Sequence, residues 1–431
     1  MTTYLKHFFI GIILLFFLPI AAQYQPLIHE SYKKEIRKLT RIKKVKKALQ
    51  FIQLDESLTL KQHITLTEIP APPFKEEKRA VAFSEMLKEL KLDSVWIDEV
   101  GNVLGLIKGT KGKRTIAIDG HLDTVFPEGT DVSVKIKGDT LFAPGIADDT
   151  RALAMLLCMI RALDKAHIRT EADLLFVATV GEEGLGDLRG IKHIFSEDGY
   201  HTDSWIAIDG GSLGRINIQG LGSYRYKVNF LGPGGHSWGA FGLGNPHHAL
   251  GDAINLFVEK ADAFTSYGER TSYNVGRIGG GTSINSIPFE SWMEVDIRSV
   301  NPRRLDSLET ILHAAAQAAL DNQNKTKRIG AKITLRIDKI GNRPSGELPS
   351  TIPIAQRAMA VTAYMGKRPK ITRGSTNANI PIALGIPAVT LGRGGIGANA
   401  HSLDEWWIDK EAYKSIQTAF LLMISEAKLD K

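Results

Sequence analysis

The chain has a single cysteine, Cys158, among its 431 residues. One cysteine cannot form an intrachain disulfide, so no disulfide framework is expected even in an oxidising compartment. Cys158 falls in an apolar segment predicted to be helical, where a small core residue is the simplest interpretation. The length allows two domains, because a single core seldom grows beyond about 300 residues.

Outside one short segment, the chain also carries little net charge. The whole sequence has a formal charge of +7, but residues 31–47 hold nine Lys or Arg and one Glu. Because this segment alone contributes +8, the rest of the chain carries about −1. No nucleic-acid partner is therefore expected, whereas the basic segment is suited to peripheral contact with an anionic membrane.

One apolar run stands out, from Phe8 to Ala22, after Lys6 and ending on small residues. It is shorter than the about 20 residues that a membrane-spanning helix needs. We interpret residues 1–22 as a cleaved signal peptide and expect an exported protein, periplasmic or secreted. An uncleaved N-terminal membrane anchor is the alternative, which the following basic segment favours.

The glycine-rich segment Gly232–Ser237 lacks the Gly-Lys-Ser/Thr ending of a phosphate-binding loop, and no dinucleotide-binding glycine pattern follows a first strand. Nucleotide binding is therefore excluded for this segment. His236, which lies beside flexible glycines, is a candidate donor to a developing oxyanion. The structural alternative is a turn histidine without a catalytic role.

Hydrophobic patterning divides the chain into two kinds of sequence. Short, fully apolar runs typical of buried strands alternate with helices in the first half and return near the end. Between them, residues 291–300 alternate apolar and polar side chains, as in a half-exposed antiparallel strand. Helices are predicted at 74–92, 150–163, 249–261 and 304–319. The predicted divisions are a signal peptide (1–22), a basic helical lead-in (23–60), a larger domain in two parts (61–219 and 342–431) and an α+β domain inserted in it (220–341).

Acidic residues and histidines follow most of the predicted buried strands. These strands are expected at 115–118, 174–180, 205–208 and 388–391. The clusters are His121-Leu122-Asp123, Asp148-Asp149, Glu182-Glu183, Asp209 and His401. In open α/β sheets, ligands gather beyond the carboxyl ends of the strands. One crevice could thus collect the imidazoles and carboxylates of a two-metal hydrolase.

Each cluster by itself has an ordinary structural explanation. Asp148-Asp149 could cap a helix, and Glu182-Glu183 could be two solvated loop acids. Candidates for binding an anionic or peptide-like substrate, although more often structural as bare residues, are Asn285, Arg298, Arg373 and Asn377. The recurrence of five clusters at one topological position is what favours the metal site.

In this order, the motifs resemble a family of di-zinc metallopeptidases that includes peptidase T, glutamate carboxypeptidase, the aminoacylases and succinyl-diaminopimelate desuccinylase. The resemblance runs from about Ile64 to the C-terminus and rests on Gly-His-Leu-Asp-Thr-Val, Ala-Asp-Asp, Gly-Glu-Glu-Gly, Gly-Gly-His-Ser and the late Ala-His. It implies an α/β fold with a mixed-sheet, di-zinc aminopeptidase-like catalytic domain. The inserted α+β domain would be a ferredoxin-like sandwich that acts as lid and joins a homodimer.

The resemblance also implies roles for individual residues. One zinc ion would be held by His121 and Asp209 and the other by Glu183 and His401, with Asp148 bridging both and a cis peptide bond after it. The remaining implied roles are general base for Glu182, support of His121 for Asp123, a reach into the partner subunit's site for His236, and lid contacts with substrate for Asn285 and Arg298. Two departures from the family pattern, Thr150-Arg151 and the loop at 374–379, put the substrate in doubt but not the metal ligands.

The expected reaction is hydrolysis of an amide bond by metal-activated water, with Glu182 as proton acceptor. An exopeptidase on short peptides, of the di/tripeptidase or carboxypeptidase type, is our first choice. An N-acyl-amino-acid deacylase with the same two Zn²⁺ (Co²⁺ or Mn²⁺ also possible) is the second. The alternative of another class is a catalytically silent exported binding protein, and the complete set of ligands and base argues against it.

Overall fold

The computed structural model describes residues 27–430, so the predicted signal peptide lies outside the described residues. No helix of residues 27–430 is both long and apolar enough to cross a membrane. The helices are α1 (Glu30–Leu39), α2 (Lys43–Leu54), α3 (Glu56–Thr67), α4 (Glu77–Lys88), α5 (Thr150–Ala166), α6 (Arg189–Ile194), α7 (Pro246–Thr265), α8 (Pro302–Thr326), α9 (Pro353–Tyr364), α10 (Asn379–Ala383) and α11 (Tyr413–Ala427).

The strands are β1 (Ser94–Ile97), β2 (Val103–Ile107), β3 (Thr115–His121), β4 (Lys135–Lys137), β5 (Thr140–Phe142), β6 (Asp173–Thr179), β7 (Ser204–Ile208), β8 (Arg215–Gly220), β9 (Gly222–Leu231), β10 (Gly235–His236), β11 (Thr271–Gly280), β12 (Ser286–Ile287), β13 (Glu290–Ser299), β14 (Thr334–Arg343), β15 (Gly346–Glu347), β16 (Lys370–Gly374), β17 (Ala388–Leu391), β18 (Ile396–Ala398) and β19 (Trp406–Ile408). A small antiparallel sheet, in the order β18-β19-β5-β4, flanks the main one.

A nine-stranded mixed sheet organises the first and last parts of the chain. Its order is β1-β2-β6-β3-β7-β17-β8-β15, with β16 beside β8. Strand β3 runs parallel to β6 and β7, and β7 runs parallel to β17. Apart from the first residue of β3 and β6, these four strands are buried throughout. Burial on both faces explains why their sequences are continuous apolar runs.

Helix α5 packs closely against β3. It is buried along nearly its whole length, as its apolar sequence predicted. A β-carbon at Gly120 would lie only 2.6 Å from that of Ala152, so glycine is required for this approach. The contact brings the end of β3, which extends three residues further than predicted, to His121, against the first turn of α5.

The segment predicted as a basic lead-in is part of the catalytic core. Helices α1, α2 and α3 bury Ile36, Val45 and Leu66, respectively, in the same hydrophobic cluster as α5. The predicted domain boundary at residue 61 falls inside α3. Within 31–47 the basic side chains are exposed, except for half-buried Lys33. The high charge of this segment therefore makes its amphipathic pattern hard to recognise in the sequence. Its apolar side chains are packed against the core.

The helix predicted at 74–92 is also shorter than expected. Phe74 has a φ of 65°, a left-handed conformation that cannot belong to an α-helix, and α4 begins at Glu77. It ends at Lys88, four residues before the predicted end. The helical spacing of apolar residues continues beyond both ends of α4, but the backbone leaves the helical conformation at each end.

The lid consists of residues 222–343, two residues offset from the predicted range at each end. Strands and helices follow the order β9-α7-β11-β13-α8-β14, the β-α-β-β-α-β arrangement of a ferredoxin-like sandwich. Its antiparallel sheet has the order β11-β13-β9-β14. Helices α7 and α8 cover one face, where Val228, Val295 and Leu312 are buried. The predicted fold class is confirmed.

Candidate metal centre

Three parallel strands end at one edge of the main sheet and bring the predicted clusters together. His121 is the last residue of β3 and pairs in register with Thr179, the last residue of β6. Glu182 and Glu183 follow β6 within four residues, and Asp209 follows β7 directly. Because parallel strands in register end at the same edge, separated parts of the sequence converge there.

The tightest group is formed by His121, Asp148 and Glu183, whose potential ligand atoms all lie within 4.8 Å of one another. Nε2 of His121 is 3.2 Å from Oδ1 of Asp148. Nε2 of His401 is 3.3 Å from Oδ2 of Asp148 and 2.8 Å from Oε1 of Glu183. Each oxygen of Asp148 thus faces a different histidine, an arrangement that can bridge two cations.

Asp209 lines the same cavity as Asp148, Glu183 and His401, with a volume of about 270 Å³. It lies outside the tightest group, but burial and the charge of Asp148 raise its pKa to about 6. All five predicted ligands therefore meet in one place. The peptide bond between Asp148 and Asp149 is cis, as the resemblance implied.

The charges around Asp148 fit a divalent metal ion. Burial opposes a charge on His121, but the neighbouring carboxylates of Asp123 and Asp148 raise its pKa well above the usual value. Hydrogen bonds with Asp148 and Glu183 raise the pKa of His401 to about 10. Metal ligation needs neutral imidazoles, so binding of a cation would release these protons. Imidazole nitrogens with carboxylate oxygens are the donors that zinc accepts.

Asp123 joins the end of β3 to the loop that carries Glu182 and Glu183. Its Oδ1 accepts the N–H of Glu182 at 3.0 Å, and its Oδ2 accepts the N–H of Glu183 at 2.7 Å. The Nδ1 atom of His121 lies nearer to the backbone carbonyl of Asp123 (3.0 Å) than to its carboxylate (3.6 Å). The predicted support of His121 therefore comes chiefly from the carbonyl, while the carboxylate positions the two glutamates.

Glu182 has a partner that sequence analysis missed. Nη1 of Arg343 lies 3.2 Å from Oε1 of Glu182 and 3.0 Å from Oγ of Ser375, and Nη2 donates to the carbonyl of Glu182. Burial raises the pKa of Glu182 well above its usual value, and the charge of Arg343 opposes that rise. In the sequence Arg343 precedes Pro344 in an ordinary turn pattern, and nothing in that pattern marks it as functional.

The predicted lid residues His236 and Asn285 lie beside each other and away from the metal centre. His236 pairs with Ser286 in the short β10–β12 ladder, and the N–H of Ser237 donates to the carbonyl of Asn285 at 2.9 Å. Both side chains are exposed, and neither lines the cavity. Within one chain, His236 is not placed to act on a substrate there.

Of the other predicted substrate residues, only Arg298 lines the cavity, where its Nε donates to Asp296 at 2.7 Å. The prediction for Asn377 is wrong: its buried Nδ2 donates to Asp119 at 2.5 Å and to Thr179 at 2.7 Å. Arg373 is exposed on β16 and does not line the cavity either. The loop after β16 turns into the core, so that Ser375 alone reaches the cavity.

The departure at Thr150-Arg151 does not bear on the substrate either. Arg151 is fully buried, its Nη2 lies 2.5 Å from Oε1 of Glu56 on α3, and its guanidinium stacks on Trp407. Sequence analysis also missed Glu405, whose carboxylate accepts the N–H groups of Gly145 and Ala147. These long-range contacts support the turn before α5 and have no local signature.

Comparison with known proteins agrees with this geometry. The model of peptidase family M20/M25/M40 matches residues 117–425, well over half of the chain. The uncharacterized protein YqjE of Bacillus subtilis (strain 168) is 26% identical over 393 residues, which is 87% of this chain and 98% of that protein. Carboxypeptidase G2 of Pseudomonas sp. (strain RS-16) is 25% identical over 220 residues, 50% of this chain and 52% of that enzyme.

The fold is shared with the di-peptidase Dug1p of Saccharomyces cerevisiae. That structure has a TM-score of 0.70 at 18% identity and covers 89% of this chain and 99% of its own. The family predicted from the motifs is therefore confirmed, as is the expectation of a hydrolase that acts on peptide or amide bonds. The chain belongs to peptidase family M20/M25/M40.

Proposed function

We propose that the protein is a zinc-dependent exopeptidase that hydrolyses short peptides. The observation that carries the proposal is the position of Asp148, with one oxygen toward His121 and the other toward His401. The names of two similar proteins, a carboxypeptidase and a di-peptidase, support a short peptide as substrate.

His121 and Asp209 would hold one zinc ion, Glu183 and His401 the other, and Asp148 both. When bound, the two ions supply Lewis-acid polarisation of the scissile carbonyl and a water acidic enough to be deprotonated near neutral pH. Mixed imidazole and carboxylate donors suit zinc, and Co²⁺ or Mn²⁺ is compatible with the same donors.

Glu182 is the proposed proton carrier. Its carboxylate lines the cavity beside Glu183, and its buried position favours holding a proton. It accepts a proton from the attacking water and delivers it to the leaving amide nitrogen, as general acid–base catalysis requires. Arg343 holds the carboxylate and the backbone of Glu182 from the lid side, which limits the orientations available to the base.

The remaining cavity wall suits the charged end of a peptide. Beyond the metal ligands and Glu182, it is lined by Val125, Gly184, Arg225, Arg298, Arg343 and Ser375. Guanidinium groups bind carboxylates with paired hydrogen bonds, so a free α-carboxylate fits this wall. His236 and Asn285 would complete the site by lid closure or from a second copy of the chain, and we propose a homodimer joined by the lid.

We further propose that the protein is exported and that residues 1–22 are removed. The exposed basic residues of 31–47 would then face anionic lipid near the membrane surface. Determining the N-terminal sequence of the mature protein tests the first proposal. Binding to vesicles containing anionic lipid, reversed by salt, tests the second.

The substrate is tested by incubating the zinc-loaded chain with libraries of di- and tripeptides and of N-acyl amino acids. The variant Glu182→Gln serves as the inactive control. Release of free amino acids from peptides supports the exopeptidase and shows which end is cut. Release from N-acyl amino acids alone would assign the deacylase activity instead. A metal-loaded chain that cleaves neither library would contradict the proposal and favour a binding protein.

A further inference from the structure

Helix α3 touches the turn that carries Asp148 at three points. Nε2 of His63 lies 2.7 Å from the carbonyl oxygen of Ile146. The hydroxyls of Thr67 and Thr150 are 2.7 Å apart, and Glu56 pairs with Arg151 at 2.5 Å. The three residues of α3 are spaced seven and four apart, so they project from one face of the helix. One face of α3 thus follows the turn from residue 146 to residue 151.

The contact of His63 is specific in its chemistry. Burial lowers the pKa of His63 to about 3, so the imidazole is neutral near pH 7. A neutral imidazole has one N–H, and the carbonyl of Ile146 can only accept, so that proton lies on Nε2. The ring also packs edge-on against Trp407, with centroids 5.0 Å apart. His63 is therefore held in one tautomer and one orientation against the turn.

The two threonines extend the contact across the turn. Oγ1 of Thr150 lies 3.0 Å from the carbonyl of Gly145, and Oγ1 of Thr67 lies 2.8 Å from the carbonyl of His63. Each hydroxyl has one proton and both carbonyls can only accept, so two of these three contacts are hydrogen bonds at any one time. The hydroxyls are linked when Thr67 donates to His63 and accepts from Thr150, or when Thr67 donates to Thr150 and Thr150 donates to Gly145. Removing the hydroxyl of Thr67 removes one of the three contacts between α3 and the turn and leaves Thr150 in place.

The turn is held from its opposite side by Glu405, through the N–H groups of Gly145 and Ala147 at 2.9 Å and 2.6 Å. Its backbone is therefore fixed on both sides, and the side chain of Asp148 reaches the cavity. Groups that orient a metal ligand contribute to metal affinity although they do not touch the ion. On this geometry, the N-terminal helices belong to the metal centre as well as to the core.

We propose that α3 is a positioning element of the metal centre. In this arrangement His63, Thr67 and Glu56 (the last through Arg151) hold the 145–151 turn so that the two oxygens of Asp148 face the two histidines. The inference rests on the proposed binding of metal at Asp148 and adds to it a set of positioning residues outside the cavity.

The test compares Thr67→Val with Thr65→Val in the full chain. Both threonines donate to a carbonyl one turn earlier in α3, at 2.8 Å and 3.0 Å, but Thr65 is exposed and does not contact the turn. The readouts are the zinc dissociation constant, from competition with a chelator, and the melting temperature of the metal-free chain. We expect zinc binding about tenfold weaker in Thr67→Val. Thr65→Val and the hydroxyl-retaining Thr67→Ser should match the wild type.

Glu56→Gln provides a second variant at a half-buried position, in case Thr67→Val does not fold. It should also weaken zinc binding, by a smaller factor, because the amide keeps a neutral contact with Arg151. Wild-type zinc affinity in both Thr67→Val and Glu56→Gln would overturn the inference, whatever happens to the melting temperature of the metal-free chain. Failure of the unaltered chain to take up zinc would overturn the proposed function itself, a result distinguishable from the first.

Discussion

The metal-binding edge of the main sheet and the lid present their predicted residues in opposite ways. At the sheet edge His121, Asp148 and Glu183 meet within one buried group inside a single chain. In the lid His236 and Asn285 are exposed at the short β10–β12 ladder and do not line the cavity. Strand ends in a parallel sheet determine the first arrangement, whereas the proposed role of the second would need lid closure or a second copy. One chain thus brings the candidate metal ligands together, and under the proposed function the substrate site would be completed by a further association or movement.

The largest expected effect distinguishes chemistry from metal binding at the sheet edge. Glu182→Gln removes the proton acceptor and leaves the metal ligands untouched, so kcat should fall about 10³-fold. Zinc content should stay at the wild-type value. Steady-state kinetics on the best peptide and metal analysis of the same sample check this prediction. Loss of zinc together with activity would show that Glu182 acts as a ligand and not as the base.

The next effect concerns the lid. His236→Ala should lower kcat about 100-fold without changing the zinc content, because an oxyanion donor is lost. Asn285→Ala should raise KM more than it lowers kcat.

If His236 acts in the partner's site, mixing inactive Glu182→Gln and His236→Ala chains should restore about a quarter of the wild-type activity, because half of randomly formed dimers have one intact site. No recovery after subunit exchange would contradict the dimer proposal and favour lid closure within one chain.

A smaller effect is expected at the junction between the two regions. Arg343→Lys keeps a positive charge beside Glu182 but cannot make the paired guanidinium contacts. We expect kcat to fall about tenfold, with its pH profile displaced, because the charge that opposes protonation of Glu182 moves. Measuring kcat against pH for Arg343→Lys and for the control Arg373→Lys, on the exposed face of β16, tests this. If the pH profile of Arg343→Lys is identical to that of the control, Arg343 does not influence the proton-accepting role of Glu182.

The smallest effect on catalysis is expected at Asn377. Because its side chain is bonded to Asp119 and Thr179 in the core, Asn377→Ala should leave KM unchanged and destabilise the fold by about 2 kcal/mol. Arg298→Ala, in the cavity wall, should raise KM and leave stability nearly unchanged. Denaturant unfolding and steady-state kinetics separate the two. A raised KM in Asn377→Ala with unchanged stability would restore the original sequence-based prediction.

The main sheet and the convergence of the candidate ligands could be predicted because their signals are local. Apolar runs such as 174–180 identify buried strands, and the topology of parallel strands then brings the polar residues after them together. The inserted lid could be predicted from the alternation at 291–300, which marks a sheet with one exposed face.

What sequence analysis missed depends on contacts between distant residues. Arg343 reaches Glu182 across 161 positions, and Glu405 reaches Gly145 across 260. The sequence predicts a lead-in at the N-terminal helices because their charge is conspicuous and each helical turn has few buried residues. The sequence predicts Arg373 and Asn377 as substrate residues because a motif names residues but does not say which side of the backbone they occupy.

One chain places Asp148 between two histidines, and we propose that two metal ions bind there. The most direct test is to measure zinc per chain, after loading and removal of excess ion, in the wild type and in Asp148→Ala. We expect two zinc ions per wild-type chain and fewer than one in the variant, with the lid variant His236→Ala still binding two. One ion or none in the wild type, or two in Asp148→Ala, would contradict it.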